Sequence, residues 1–169
     1  TTDAIGEWEA IFPSMNATTG LTLTVTQLGT EDGKEPIILD DIAIGEVFLL
    51  SGQSNMDYNV SNMEDYLELK ANANNYSNLR GYLSANIYRH GEDGMGSGSW
   101  YKLTADNIAG FPATGYAMAT MLALELGDDV TVAIVEASYP GSTVKTWIDA
   151  EKYIAKYGED ADVKKYRSY

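Results

Sequence analysis

A buried-strand pattern that runs directly into a turn rich in glycine and serine constrains this chain most. The apolar run of residues 47–50 is continuous, which predicts a strand covered on both faces, as in a parallel sheet. The turn that follows reads Ser51-Gly52-Gln53-Ser54-Asn55-Met56. Because open α/β sheets bind ligands beyond the carboxyl ends of their strands, Ser54 is a candidate site residue. A strand-to-helix turn with a serine cap has the same local pattern, so the turn alone leaves both interpretations open.

The spacing of apolar residues predicts an α/β fold with a parallel sheet. Alternation predicts a first strand, which a hairpin at Asp32-Gly33 joins to its partner. The predicted strands cover residues 21–26, 36–39, 42–50, 79–83 and 130–135. The predicted helices cover residues 60–70, 113–126 and 143–157. We expect the hairpin before residue 40 to lie outside the parallel sheet and the strand at 130–135 to have an unpaired edge.

Two details of the predicted helices can be tested against a structure. Four apolar residues of the helix at 113–126 lie on one face, which we expect to be buried. They are Met118, Met121, Leu122 and Leu126. The helix at 143–157 is expected to start at a cap formed by Ser142 or Thr143 and to stop at Gly158.

A second turn with glycine follows the strand at 130–135 and opens a predicted helix. It reads Ser138-Tyr139-Pro140-Gly141-Ser142-Thr143. Backbone N–H groups at such a position can hold a developing negative charge. If the two strands are neighbours, Ser54 could attack a carbonyl while the N–H groups of Ser54 and Gly141 bind the oxyanion. Taken alone, this second turn is also compatible with an ordinary helix cap.

The residues around both turns resemble one known family. Residues 41–56 are similar to the nucleophile block of the sialate O-acetylesterase group, carbohydrate esterases of the SGNH hydrolase superfamily. Trp8, Pro13 and the strand near 21–25 resemble that family's β-rich lead-in. Residues 116–135 and the pair Gly141-Ser142 resemble its helix, strand and glycine block, with Pro140 in the place of the first of two glycines.

The resemblance implies a fold and an activity. The fold would be the flavodoxin-like three-layer SGNH hydrolase fold with a parallel sheet, incomplete in this chain. Residues 1–40 would form a β-rich N-terminal segment, and residues 41–169 the N-terminal part of the hydrolase domain. The activity would be removal of acetyl groups from sugars such as sialic acid or acetylated xylan. Ser54 would be the nucleophile, Ser54 and Gly141 would form the oxyanion hole, and Gln53, Asn55 and Ser142 would contact the substrate.

The base that such a serine needs is not evident in the sequence. The family's third-block Asn and its Asp-x-x-His pair are not among the 169 residues. The single histidine, His90, stands in a glycine-rich stretch that we interpret as a surface loop. We therefore expect a second polypeptide to carry the catalytic Asp and His. The alternative is a non-catalytic carbohydrate-binding or interaction module that keeps the fold.

Composition excludes several other functions. The net charge of −14, from 11 basic and 25 acidic residues, would repel nucleic acids and anionic membranes. Cysteine is absent, which rules out thiolate chemistry. Adjacent carboxylates such as Asp40-Asp41 are typical of solvated turns, and we expect no metal and no cofactor. We expect a bacterial protein that is secreted, periplasmic or on the cell surface, with a cytoplasmic location left open.

Overall fold

The computed structural model describes residues 8–27, 35–84 and 98–158. Its strands are β1 (Thr18–Val25), β2 (Ile37–Gly52), β3 (Leu79–Ser84), β4 (Gly98–Lys102) and β5 (Thr131–Ser138). Its α-helices are α1 (Tyr66–Asn72), α2 (Ala113–Leu126) and α3 (Ala150–Tyr157). Short 3₁₀ helices cover Val60–Asn62, Ala73–Asn75, Ile108–Gly110 and Val144–Trp147.

The strands form one mixed five-stranded sheet in the order β1-β2-β5-β3-β4. Strand β5 is parallel to both of its neighbours, β2 and β3. The outer strands β1 and β4 are antiparallel to β2 and β3. The predicted α/β class is confirmed, and the strands predicted at 42–50, 79–83 and 130–135 form the parallel part of the sheet. The three-layer arrangement of the resemblance stays a prediction.

Strand β2 is longer than expected because it has two different partners. Its first half pairs with β1 as far as Ile44, and its second half pairs with β5 from Gly45 onwards. The expected division into strands at 36–39 and 42–50 was therefore wrong, as was the expectation of a hairpin outside the sheet. The hairpin signal Asp32-Gly33 lies outside the described residues.

Strand β5 lies inside the sheet and not at its edge. It pairs along its length with β2 from Gly45 to Gly52 and with β3 from Leu79 to Leu83. The expected unpaired edge at residues 130–135 was wrong, because the chain inserts β5 between two strands that precede it. This position explains why all but one of its residues are buried.

Helix α2 packs on one face of the sheet and has the predicted bounds. Its buried positions are mostly small, with Ala119 and Ala123 against the apolar side chains of β5 and β2. Gly115 lets the helix approach Ile134, since a Cβ there would lie 3.0 Å from the Ile134 side chain. The predicted face was partly wrong: Met118 and Leu122 pack against the core, but Met121 and Leu126 are 71% and 43% exposed.

The last helix starts later than predicted. A 3₁₀ turn at Val144–Trp147 comes first, and α3 begins after Asp149, whose carboxylate accepts the backbone N–H of Lys152 at 3.1 Å. Asp149 is thus the N-cap, in place of Ser142 or Thr143. Gly158 follows the helix with a φ of 81°, as the predicted stop requires.

Candidate active site

Ser54 stands in an exposed turn just past the carboxyl end of β2. The turn closes through the Met56 N–H, which donates to the Gln53 carbonyl at 2.8 Å. Gly52 allows the bend, since it has a φ of 150° and a Cβ there would lie 2.8 Å from Cγ of Met56. The Ser54 hydroxyl donates to Oε1 of Gln53 at 3.0 Å. An amide oxygen orients the hydroxyl but is too weakly basic to take its proton.

The segment after Ser54 is fastened to the start of α2. The Ala113 N–H donates to the Tyr58 carbonyl at 2.7 Å, and the Val60 N–H donates to the Phe111 carbonyl at 2.8 Å. Val60 and Phe111 are fully buried. Two backbone bonds anchored in the core therefore hold the far end of the serine turn in place, although the turn itself is exposed.

Gly141 stands in a matching turn at the carboxyl end of β5. Its φ of 78° suits glycine, while a Cβ there would meet nothing within 4 Å. Backbone conformation is thus the reason for a glycine at this position. The Ser142 N–H donates back to the Tyr139 carbonyl at 3.2 Å, which closes the turn.

The two turns are neighbours. Gly52 and Ser138 are register partners, and the Tyr139 N–H donates to the Gly52 carbonyl at 2.8 Å. Ser54 and Gly141 therefore leave adjacent parallel strands only two and three residues beyond a shared pair. A crevice beyond the strand ends is the place where such sheets bind ligands.

The three residues expected to contact substrate lie in these same turns. Gln53 accepts the Ser54 hydroxyl, and Asn55 is exposed with its carbonyl 3.4 Å from the hydroxyl of Thr114. Ser142 is half-buried, and its hydroxyl accepts the indole N–H of Trp147 at 2.9 Å. That bond brings a partly exposed aromatic ring beside the Gly141 turn.

A general base for Ser54 is not found within the described ranges. The one histidine of the sequence, His90, lies outside them. No group of three or more His, Asp or Glu side chains in the described part of the chain could hold a metal ion. None of the helices described is long and apolar enough to cross a membrane.

Sequence reasoning missed a buried acidic residue beneath the Gly141 turn. Glu136 is only 8% exposed, and its carboxylate accepts the backbone N–H of Ser138 at 2.8 Å as well as the Ser138 hydroxyl. Burial, together with the negative charge of Glu136, raises the pKa of Tyr101 to about 12. The sequence does carry a signal for this buried carboxylate, namely a single glutamate within the apolar run of residues 130–137.

The described part of the chain has an α/β fold similar to that of an esterase. No protein-family model and no curated protein matches the sequence. The structure is similar to the crystal structure of a carbohydrate acetylesterase from Xanthomonas citri, with a TM-score of 0.81 and 26% sequence identity. The similarity covers 93% of this chain and 35% of that one, so this chain spans well under half the length of that neighbour.

Proposed function

We propose that this chain carries the nucleophile of a serine-type carbohydrate O-acetylesterase. The observation that carries the proposal is the pairing of the Ser54 and Gly141 turns at the ends of adjacent parallel strands, joined by the bond from Tyr139 to Gly52. The similarity to a carbohydrate acetylesterase supports the same chemistry. The finer assignment, to the sialate O-acetylesterase group with an SGNH three-layer fold, rests on the sequence resemblance.

The proposed reaction proceeds in two steps through an acetylated serine. The Ser54 hydroxyl attacks the acetyl carbonyl carbon while a base takes its proton, and the N–H groups of Ser54 and Gly141 donate to the oxyanion. Collapse of this intermediate breaks the bond to the sugar oxygen, which receives the proton from the base. Water, deprotonated by the same base, then attacks the carbonyl carbon of the acetyl-serine. The bond to the Ser54 oxygen breaks, that oxygen takes the proton back from the base, and acetate leaves.

The substrate is an acetylated sugar on this proposal. Gln53, Asn55 and Ser142 offer amide and hydroxyl groups beside Ser54, and such groups suit sugar hydroxyls. The net charge of −14 favours a neutral acetylated polysaccharide such as xylan over anionic sialic acid. A polymeric substrate fits a secreted, periplasmic or cell-surface location.

The base comes from a second polypeptide that carries the rest of the hydrolase domain, with the catalytic Asp and His. Two observations support this proposal. The chain corresponds to 35% of the acetylesterase that it resembles. In addition, no other described strand pairs with the outer side of β2 at residues 45–52, whose inner side pairs with β5. A further strand added there would end beside Ser54.

A non-catalytic carbohydrate-binding module is the second candidate. One observation favours it: the Ser54 hydroxyl donates to the neutral amide of Gln53, and no histidine lies within the described residues. Such a module would bind sugars at the same two turns without hydrolysing their esters.

The test is a comparison of Ser54→Ala and Ser77→Ala in the protein isolated under non-denaturing conditions with whatever polypeptides accompany it. Acetate release from acetylated xylan is the readout, with an aryl acetate as the general ester substrate. We expect Ser54→Ala to lower kcat at least ~10³-fold, since removal of a nucleophile leaves only binding and oxyanion effects. Thermal unfolding should be unchanged, because Ser54 is exposed.

Ser77→Ala is the matched control, because Ser77 is likewise an exposed serine but lies outside both turns and outside β2. It should retain wild-type turnover. Undiminished turnover in Ser54→Ala would contradict the nucleophile assignment. Sugar binding without any ester hydrolysis by the wild type would instead support the module.

A further inference from the structure

Glu136 differs from every other charged side chain that the structure describes, because it alone is buried. It sits in the interior strand β5, in register with Leu50 of β2 and Leu83 of β3. Burial of a carboxylate is costly unless hydrogen bonds compensate for the lost water. Its bonds from the N–H and the hydroxyl of Ser138 supply such compensation.

The direction of the backbone explains why Ser138 needs this acceptor. Along a parallel strand, successive N–H groups point to opposite neighbours. The Tyr139 N–H points to β2 and bonds the Gly52 carbonyl, and the Val132 N–H points to the other side and bonds the Asn78 carbonyl. The Ser138 N–H therefore points towards β3, whose pairing with β5 ends at Glu136.

Glu136 thus takes the place of a β3 partner at the base of the Gly141 turn, since the pairing of β3 with β5 among the described residues reaches only to Glu136. Its carboxylate holds the Ser138 N–H on one side, while the Gly52 carbonyl holds the Tyr139 N–H at 2.8 Å on the other. The N–H groups of Ser138 and Tyr139 are thus both hydrogen-bonded, and only Pro140 separates these two residues from Gly141. A hydrogen bond to a buried carboxylate is stronger than one between neutral groups, so it restrains the strand end more firmly.

We propose that Glu136 is a positioning residue that sets the direction of the Gly141 N–H through its bond to the Ser138 backbone. The inference rests on the proposed esterase function for its kinetic consequence. Its structural consequence can be measured without any assay of activity. The two consequences provide separate tests.

The kinetic test compares Glu136→Ala with Glu136→Gln in the active assembly. Glutamine keeps one side-chain oxygen that can accept the Ser138 N–H, whereas alanine removes it. We expect Glu136→Ala to lower kcat ~10–100-fold with KM changed less than about 3-fold, since a misplaced oxyanion donor is felt in the transition state. We expect Glu136→Gln to restore most of that loss. Wild-type kcat in a folded Glu136→Ala variant would overturn the proposal, as would a Gln variant no better than the Ala variant.

The second test needs no activity, so it separates failure of this inference from failure of the esterase assignment. Amide hydrogen exchange by NMR is measured on the wild type and both variants of this chain. Glu136→Ala should speed exchange at Ser138 about 10-fold or more and shift the Gly141 amide resonance, with Val132 as the internal control on the same strand. Glutamine should largely restore both signals. Unchanged Ser138 exchange and an unchanged Gly141 resonance in the Ala variant would refute the positioning role, whether or not the protein hydrolyses esters.

Discussion

Asp41 is the one described residue other than glycine with a positive φ, at 60°. Its carboxylate binds Arg80 of β3 and Lys102 of β4, both at 3.0 Å, and its carbonyl accepts a second bond from Arg80 at 2.8 Å. Asp41 can reach these strands because β5, which lies between, first pairs with β2 at Gly45. The pair Asp40-Asp41, interpreted as a solvated turn, is exposed to solvent but lies within strand β2 and not in a turn.

This ion-pair cluster predicts a pH dependence of stability. The bonds from Lys102 and then Arg80 lower the pKa of Asp41 below its usual 3.8. A carboxylate with a lowered pKa stabilises the folded state above its unfolded pKa, and this stabilisation is lost as the pH falls through the folded value. Asp41→Asn should therefore destabilise the protein at pH 6, by less than about 1 kcal/mol because the pairs are exposed.

The measurement is urea unfolding of the wild type and Asp41→Asn between pH 6 and pH 2. Asparagine tolerates the positive φ, so the variant removes the charge with little backbone strain. The difference in unfolding free energy should shrink below pH 4. Asp106→Asn, at an exposed carboxylate outside the cluster, should show no comparable loss at pH 6. A difference that stays constant across this range would exclude the charge as its cause.

Gly45 marks the point where β2 exchanges its partner β1 for β5. A Cβ on Gly45 would overlap the backbone carbonyl of Thr131, which cannot rotate away as a side chain can. Gly45→Ala should therefore cost about 1–3 kcal/mol of unfolding free energy through strain at the start of the parallel ladder. Urea unfolding at neutral pH measures this directly.

Gly110 provides the matched control for that substitution. It has an ordinary φ, and a Cβ there would meet nothing within 4 Å. Gly110→Ala should leave the unfolding free energy unchanged or raise it by about 0.5 kcal/mol, because alanine lowers the conformational entropy of the unfolded chain. Equal stability of the two alanine variants would show that the partner exchange at Gly45 tolerates a side chain.

Elements with strong local signals were predictable from the sequence. Helix α2 has a proline at its start and a glycine at its end, and its bounds were correct. Strand β4 was missed, because Gly98–Lys102 is short and its polar and aromatic residues give no clear period. The late start of α3 was missed because both Thr143 and Asp149 are good caps, and only tertiary structure selects between them.

The candidate site was predictable in its backbone but not in its side-chain support. Each turn follows an apolar strand and contains a glycine, which placed Ser54 and Gly141 at strand ends. Their adjacency depends on strand order, which a single sequence does not give. Glu136 was missed because a charged residue in a strand is ordinarily assigned to an exposed position, and its bond to Ser138 depends on where β3 ends.

At the scale of the whole molecule, the second half of β2 has the apolar composition of an interior strand, but only one of its two faces is covered. Phe48 and Leu50 pack into the core with α2, whereas Val47 and Leu49 are 60% and 67% exposed. Strands of parallel sheets are normally covered on both faces and paired on both edges. The exposed pair and the outer edge at residues 45–52 are therefore where the proposed second polypeptide should bind.

Leu49→Lys tests this surface in the assembly isolated under non-denaturing conditions. A charge at a buried interface position loses its hydration, so we expect the variant to weaken association at least ~10-fold and to shift the native mass towards that of this chain alone. Leu67→Lys, at a 78% exposed leucine of α1, should leave the native mass unchanged. Association weakened equally by both variants would mean that the effect is a general one of charge, and association weakened by neither would remove β2 from the interface. On this proposal the second polypeptide supplies the base, so a loss of association confined to Leu49→Lys should also abolish ester hydrolysis. Ser54 should stay in place, because Leu49 lies in β2 and Ser54 in the turn beyond its end.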